Sequence, residues 1–532
     1  MRVRNRATWV ALPAGAALTA VLLSGCGVGG GDSAGQGEPI VMGMTDDVLS
    51  IDPASGYDPG SWLVFNNVFQ SLLSFPKGDT QPQPEAAEKC EFRDNASKLF
   101  PCTLRDGLKF STGESLTSKD VKHSFDRTLK IDDPDGPAVM LNTIDRIETP
   151  DEKTVIFHLN TSDATFPQKI ASGAGSIVDH RSYPADELRT DGEAVGSGVY
   201  TLDSFSEEEA VFSVNADYQG PAEVQNSGMT MKFFEDPAAL KDAVKGQDVD
   251  LAYRHLTTGD IAELEASTNS SQQDIQVVQG TSAEVHHLVF NHDHPVTGQL
   301  GVRQAIAYLI DRSTLLRDVY ERTAEPLYSI VPAGITGHNT AFFDLYGERP
   351  QPTKAKDALR EEGITEPVEL TLWSTPVRYG AGTDEELEAI AEQLNASGLF
   401  KATVQSVELE QYEKDIAAGK YGVYVKGWVP DYPDADNFTA PFFGEDNVLG
   451  NNYDAGPITG ELLPRTAAES SRAATVEDFG EIQDIVAEQL PLLPVWQGKQ
   501  YAVAQDDISG LEWTLDASTV FRFWEISKNP AD

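Results

Sequence analysis

Four of the nine histidines stand close together: His286, His287, His292 and His294, with Asp293 between the last two. Imidazoles beside a carboxylate invite a metal reading. The spacing matches no recognised zinc pattern. In an extended segment, alternation sends His286 and His287 to opposite faces. No metal site and no cofactor are therefore expected, and added nickel or zinc should leave the melting temperature unchanged. Gly31-Asp32-Ser33-Ala34-Gly35 satisfies G-x-S-x-G in form. That motif makes a nucleophile only on a tight turn between a strand and a helix, and neither is expected around it. There is no H-E-x-x-H, no free catalytic cysteine and no G-x-x-x-x-G-K-[ST]. The chain therefore reads as neither a hydrolase nor an ATPase, and no enzyme activity is expected.

The three cysteines carry different information. Arg2, Arg4 and Arg6 precede an apolar run from Ala7 to Leu23, which ends in Leu23-Ser24-Gly25-Cys26. This is a signal peptide over 1–25, with small residues before its cleavage point. A cysteine directly after that point marks the lipoprotein type, in which Cys26 carries the lipid. Pro13 and Gly15 break the apolar run, which is at the short limit for a membrane span. An uncleaved anchor is the alternative, and either way the bulk of the chain lies outside the cytoplasm. Residues 26–37 are rich in glycine and read as a flexible tether. Cys90 and Cys102 remain, in an oxidising compartment, on either side of the turn-like Arg93-Asp94-Asn95-Ala96-Ser97. Strands flanking that turn would bring the sulfurs together. A disulfide across a hairpin is expected, free buried thiols being the alternative.

These residues need a large folded body. The chain has 532 residues, enough for about three domains. No second long apolar run appears. The net charge of −44 excludes a basic footprint for nucleic acid and fits a solvated acidic surface. From Ser71 to about Ala194 the signals are short strands and turns, such as Thr154–Leu159 after Thr149-Pro150-Asp151-Glu152. One helix is expected from near Ser118, with Val121, Phe125 and Leu129 at helical spacing. From about Gly301 to Leu490, helices and strands alternate, which argues for an α/β domain. Val302, Ile306 and Leu309 share one helix face. Thr383 and Glu386 read as a capping box before Leu387, Ile390 and Leu394, with Gly398 as the stop. Phe479, Ile482 and Val486 mark a helix stopped by Pro491. Val368–Trp373 and Tyr421–Val425 read as strands.

Ordered blocks along the chain carry a resemblance. They are Ile51-Asp52-Pro53 with Val68–Leu73, then Leu104–Glu114 running on to Leu116–Val121, then Gly196-Ser197-Gly198-Val199-Tyr200. Val302–Tyr308, Gly427-Trp428-Val429-Pro430-Asp431-Tyr432 and Leu492-Leu493-Pro494-Val495-Trp496 complete the set. Nearly all of the mature chain resembles the extracellular solute-binding proteins (family 5) of the oligopeptide, dipeptide and nickel ABC importers. The resemblance implies an α/β, two-lobed periplasmic-binding-protein-like fold. A hinge joins the lobes, and a hairpin-rich domain is inserted in the first. The first lobe would combine 38–71, 195–290 and 500–532, the inserted domain 72–194, and the second lobe 291–499. Asn291 would lie near one hinge crossing and Lys499-Gln500-Tyr501 near the other. Ligands would be enclosed by hinge closure.

In peptide-binding relatives the aspartate of the W-x-x-D-Y block receives the peptide α-ammonium. The resemblance gives that role to Asp431, with Trp428 and Tyr432 in the same spacing. An enclosed carboxylate and ammonium make a charge-assisted hydrogen bond, and a lone buried charge is costly. Pro430 is a departure that constrains the backbone before Asp431. Asp434 and Asp436 stand close by, and a turn cap beside Pro433 is the structural alternative. An extended peptide binds like an added strand, with main-chain partners expected from Gly427 and Val429. The loop Ser55–Gly60 on the other lobe adds Tyr57 and Asp58. Tyr412 and Trp496 are candidate pocket walls, although such aromatics more often belong to a core.

The function so implied is capture of oligopeptides outside the cell for an ABC importer. The expected partners are a peptide ligand, the importer's permease and ATPase subunits, and the outer face of the cytoplasmic membrane through lipid on Cys26. No nucleic acid is expected, and the chain should be a monomer. A non-peptide ligand (a nickel chelate, haem, an opine or a sugar) is the alternative within the same fold. A secreted hydrolase is the alternative outside it.

Overall fold

Residues 39–529 are described by the computed structural model, except 255, 270–273, 377, 381 and 445–446. The signal segment, Cys26 and the tether lie outside the described residues. Among the described residues no helix is long and apolar enough to cross a membrane.

Two long strands organise the body. Ile275–Phe290 and Leu492–Gln505 run antiparallel and pair along most of their length. His286 to Phe290 and Leu492 to Trp496 are buried without interruption, the pattern of strands covered on both faces. The two halves of this pair keep different company. At one end Ala502–Ala504 pairs with Leu251–Tyr253. The sheet then continues through Ile40–Met44, Gly228–Phe233, Glu209–Val214 and Tyr200–Phe205. At the other end Val285–Phe290 pairs with Val423–Trp428, followed by Val368–Ser374 and Phe400–Ser406. One 11-stranded sheet thus serves two lobes. One large apolar core contains Leu288, Ile306, Leu372 and Val486. A second contains Met42, Phe65, Phe157 and Phe523.

The register breaks between Thr281 and Val285, opposite Lys499 and Gln497. This break separates the part of the pair beside Leu251–Tyr253 from the part beside Val423–Trp428. Asn291 sits past the strand end inside the second lobe, its Nδ2 donating to the Gly419 carbonyl (3.1 Å).

The segment after Ser71 forms a four-stranded antiparallel sheet, in the order Ala87–Cys90, Leu99–Leu104, Thr154–Leu159, Ile144–Glu148. Val155, Phe157 and Leu159 alternate inward and meet Phe125 and Val121 of the helix Ser118–Ile131. Thr117 and Asp120 cap that helix reciprocally. Cys90 and Cys102 lie opposite each other in register and are joined as a disulfide. This sheet shares the first lobe's core. A buried ion pair also pins it there: both terminal nitrogens of Arg127 donate to Asp52 (2.7 and 2.6 Å), each side chain 1 % exposed. Gly196 and Gly198 are required by close approach, since a Cβ on either would collide with the Val68 backbone.

The second lobe's helices follow their apolar spacing. Leu300–Leu309 buries Val302, Ile306 and Leu309, and Val476–Gln489 buries Phe479, Ile482 and Val486. The expected capping box is absent. Gly382 occupies the N-cap position of Thr383–Ala396, and Thr383 Oγ1 donates to the carbonyls of Tyr379 and Gly380. Glu386 instead turns into the core with no exposure, because three side-chain donors meet it there.

Candidate functional site

The strand Val423–Trp428 is half-paired. On one side it is paired with Val285–Phe290 from Val423 through Trp428. On the other, Val368–Ser374 reaches only Val423 and Tyr424. Tyr412 is the cause. Its ring is fully buried. Its hydroxyl donates to the Val425 carbonyl (2.8 Å), lies 3.3 Å from the Trp373 carbonyl, and accepts from the Val425 N–H (3.0 Å). This wedge ends the ladder. In a strand the main-chain groups of alternate residues face the same edge. Those of Gly427 therefore face the edge that Val425 presents to Tyr412, where no named strand pairs among the described residues. Tyr412 is thus not a pocket wall; it is a core residue that keeps an edge open.

Beyond this edge the chain turns at Val429-Pro430-Asp431. Asn437 fixes the turn: its Oδ1 accepts from Trp428 Nε1 (2.9 Å) and the Asp431 N–H (3.1 Å), and its Nδ2 donates to Asp431 Oδ2 (3.3 Å). Asn437 was not singled out from sequence. A polar residue six positions after an acid carries no recognisable pattern. The neighbouring acids are committed elsewhere. Asp434 makes a two-point pair with Arg472 (2.8 and 2.7 Å), and Asp436 accepts from the Tyr432 hydroxyl (3.0 Å). Asp431 is only half-buried and is the acid turned toward the first lobe, where the Tyr57 hydroxyl donates to it. Burial raises the Asp431 carboxyl above its usual range, against the donors Tyr57 and Asn437.

Tyr57 stands on the loop before the helix Pro59–Val68, its ring 5.5 Å from that of Trp62. Asp58 is the N-cap of this helix, accepting from the Ser61 N–H (2.8 Å). Its Oδ1 is thereby committed to the helix cap. Val429 is 48 % exposed, and Tyr432 is buried, with Lys169 Nζ over its ring. Trp496 is also no open wall. It is 5 % exposed, stacks on His286 and donates to Glu386 (3.0 Å).

The segment after Ser71 meets the second lobe beside Tyr432. Ala164 N–H donates to the Ala467 carbonyl and Ser97 Oγ to that of Ala468, both at 2.8 Å. These are orphan carbonyls at the end of the helix Leu463–Ala468. A hollow of about 510 Å³ beside Glu369, Trp373, Lys401 and His294 includes none of Tyr57, Gly427, Trp428 and Asp431.

The histidines do not converge. His286 contacts Glu386, while His287 lies against Phe442 on the other face. His292 packs on Tyr453, and His294 covers Gly422. Burial pushes His287 down to about 3 and His292 down to about 4. Both are structural neutral rings.

Comparison with known proteins decides the family. The bacterial extracellular solute-binding proteins, family 5 (middle), match residues 81–450. The chain belongs to this family. The family is one of binding proteins and not of enzymes. A dipeptide-binding protein of Pseudomonas aeruginosa is 24 % identical over 492 residues, covering 86 % of this chain and 90 % of that one. Heme-binding protein A of Haemophilus influenzae is 23 % identical over 488 residues, covering 85 % of each. Among solved structures, the periplasmic binding protein DppA of Helicobacter pylori, in complex with peptide STSA, superposes with a TM-score of 0.72. It has 20 % identity and covers 93 % of this chain and 99 % of its own. The family's blocks are largely architectural in this chain: Asp52 anchors Arg127, Gly196 and Gly198 admit the Val68 backbone, and Arg303 donates to the carbonyls of Thr297 and Gln489.

Proposed function

We propose that this family 5 protein captures oligopeptides outside the cell, held to the outer face of the cytoplasmic membrane by lipid on Cys26, and delivers them to an ABC importer. The observation that carries the peptide reading is the pairing of an open strand edge at Gly427 with a half-buried carboxylate at Asp431. An extended peptide needs main-chain partners along its length and an anion at its amino end. The edge and the acid lie four residues apart across a turn, and so at most about 13 Å from each other. Tyr57 faces Asp431 from the other lobe, so a bound ammonium would be enclosed between lobes. Peptide-binding relatives, including the dipeptide-binding protein, support the same reading.

The test is to purify the lipid-free protein from its native host, unfold it, and take a mass spectrum of what it releases. A family of short-peptide masses is expected. A single non-peptide mass, such as haem or a metal chelate, would keep the binding role and overturn the peptide assignment.

A further inference from the structure

Among the described residues from 291 to 499, Tyr432 is the one that joins the first lobe's apolar core. It packs there with Phe166 and Ile170 and is 6 % exposed. Its neighbours in the chain do otherwise: Ala435, Phe438 and Phe442 belong to the second lobe's core. The Tyr432 hydroxyl keeps its acceptor on its own side, at Asp436 (3.0 Å). The ring crosses to the other, where Lys169 Nζ lies over it at 5.8 Å and is held by the buried Asp163 at 2.8 Å. Tyr432 is thus a plug set by one lobe into the other.

Two hydrogen bonds close around the plug. Ala164 N–H and Ser97 Oγ donate to the carbonyls of Ala467 and Ala468, each at 2.8 Å, and both donor residues are buried. The two donors move together, because the Asp163 N–H donates to the Ser97 carbonyl (3.2 Å). The receiving side is equally tied. Arg472 donates to the carbonyls of Thr466 (2.8 Å) and Glu469 (3.1 Å) and grips Asp434, two residues after Tyr432. The helix end Leu463–Ala468 and the plug therefore belong to one body.

The strands Ile275–Phe290 and Leu492–Gln505 join the lobes through the chain. The contacts at Tyr432 join them a second time, directly after Asp431. Parting the lobes would return an aromatic ring to water, which weighs against opening by about tenfold or more. Each lost hydrogen bond adds about fivefold. All of these contacts join protein to protein, so closure does not wait for a ligand.

We propose that Tyr432, Ala164 and Ser97 form a latch that holds the empty protein closed over Asp431, so that a ligand enters only when Tyr432 withdraws from the first lobe. The open form that admits a ligand is then the minor population, and apparent affinity is reduced by that fraction.

The experiment is small-angle scattering with amide hydrogen exchange, on mature protein stripped of ligand by unfolding and refolding. Wild type should scatter as the closed form does, with the Ala164 N–H protected. Tyr432→Ala removes the plug; it should enlarge the radius of gyration and speed exchange at Ala164 by about tenfold or more. Ala164→Pro combined with Ser97→Ala removes both donors, should also enlarge the radius, and serves if Tyr432→Ala does not fold. Proline suits position 164: the Phe166 N–H donates to the Asp163 carbonyl (3.2 Å) and Thr165 lies at φ −92°, ψ 0°. Ala164 is therefore the second residue of a type I turn, where proline is favoured. An empty wild type that scatters as an open molecule overturns the proposal, whatever the variants do. Folded variants that keep the wild-type radius overturn it too. No ligand enters the measurement, so its outcome is separate from that of the peptide reading.

Discussion

Tyr57 of the first lobe donates its hydroxyl hydrogen to Asp431 of the second, so the proposed ammonium site is also a point where the lobes touch. Asn437, within its own turn, is the other hydrogen-bond partner of that carboxylate among the described residues. An arriving ammonium meets a carboxylate that is already oriented and incompletely compensated.

Asp431→Ala should weaken tripeptide binding by about 2–5 kcal/mol, the range for truncating one member of an enclosed charge pair. Asp431→Asn should lose most of the same affinity, since it keeps shape and removes charge. Calorimetry at constant salt measures both, and unchanged affinity in Asp431→Ala would discard the assignment.

Binding should depend on pH through the same group. Burial raises the Asp431 carboxyl above its usual range. The empty protein therefore takes up this proton at a higher pH than the unfolded chain does. Its ionised form costs folding stability once pH rises through the raised value. An ammonium needs the ionised form, so affinity should fall as pH drops from 7 toward the usual carboxylate range near 4. Asp431→Asn should show a flat profile between those limits.

Tyr57→Phe removes one hydrogen bond between lobes. At about 1 kcal/mol, such a bond shifts an open–closed equilibrium by about fivefold. Small-angle scattering of the ligand-free variant should report a larger radius of gyration than wild type, with the difference removed by saturating peptide. Identical radii would show that other contacts, such as Ala164 to Ala467, hold the lobes.

Tyr412→Phe keeps the ring and deletes the wedge hydroxyl. The N–H and C=O of Val425 then lose a partner inside the core, a cost of about 1–3 kcal/mol. Urea unfolding should show that loss. Tripeptide affinity should fall as well, because the strand Val368–Ser374 can then approach the edge at Gly427.

Arg127→Ala strands the buried carboxylate of Asp52. Breaking such a pair from one side costs about 3–5 kcal/mol. The melting temperature should drop by several degrees or more, with tripeptide affinity preserved in the fraction that remains folded. A drop no larger than that of an exposed pair such as Lys122 with Asp126 would contradict the anchoring role.

Sequence alone determined the elements whose signal is local. The periodic faces of Ser118–Ile131, Leu300–Leu309 and Val476–Gln489 are written in apolar spacing. The alternation of Thr154–Leu159 and the Cys90–Cys102 hairpin are equally local. The ordered blocks identified the family and, with it, the two-lobed fold. The fold decided what depends on partners distant in the chain. Thr383 and Glu386 have capping-box spacing, yet Glu386 is drawn inward by His286, Trp496 and Tyr320, at separations of 66 to 110 residues. Asp58, Asp434 and Asp436 are the same residue type as Asp431. Only tertiary contacts commit them to Ser61, Arg472 and Tyr432 and leave Asp431 facing the other lobe. Tyr412 reads as any buried aromatic until its hydroxyl is found between two strands. The physical reason is common to these cases: periodicity records which side of an element is apolar, while a hydrogen bond is fixed by whichever group closure of the chain brings within 3 Å.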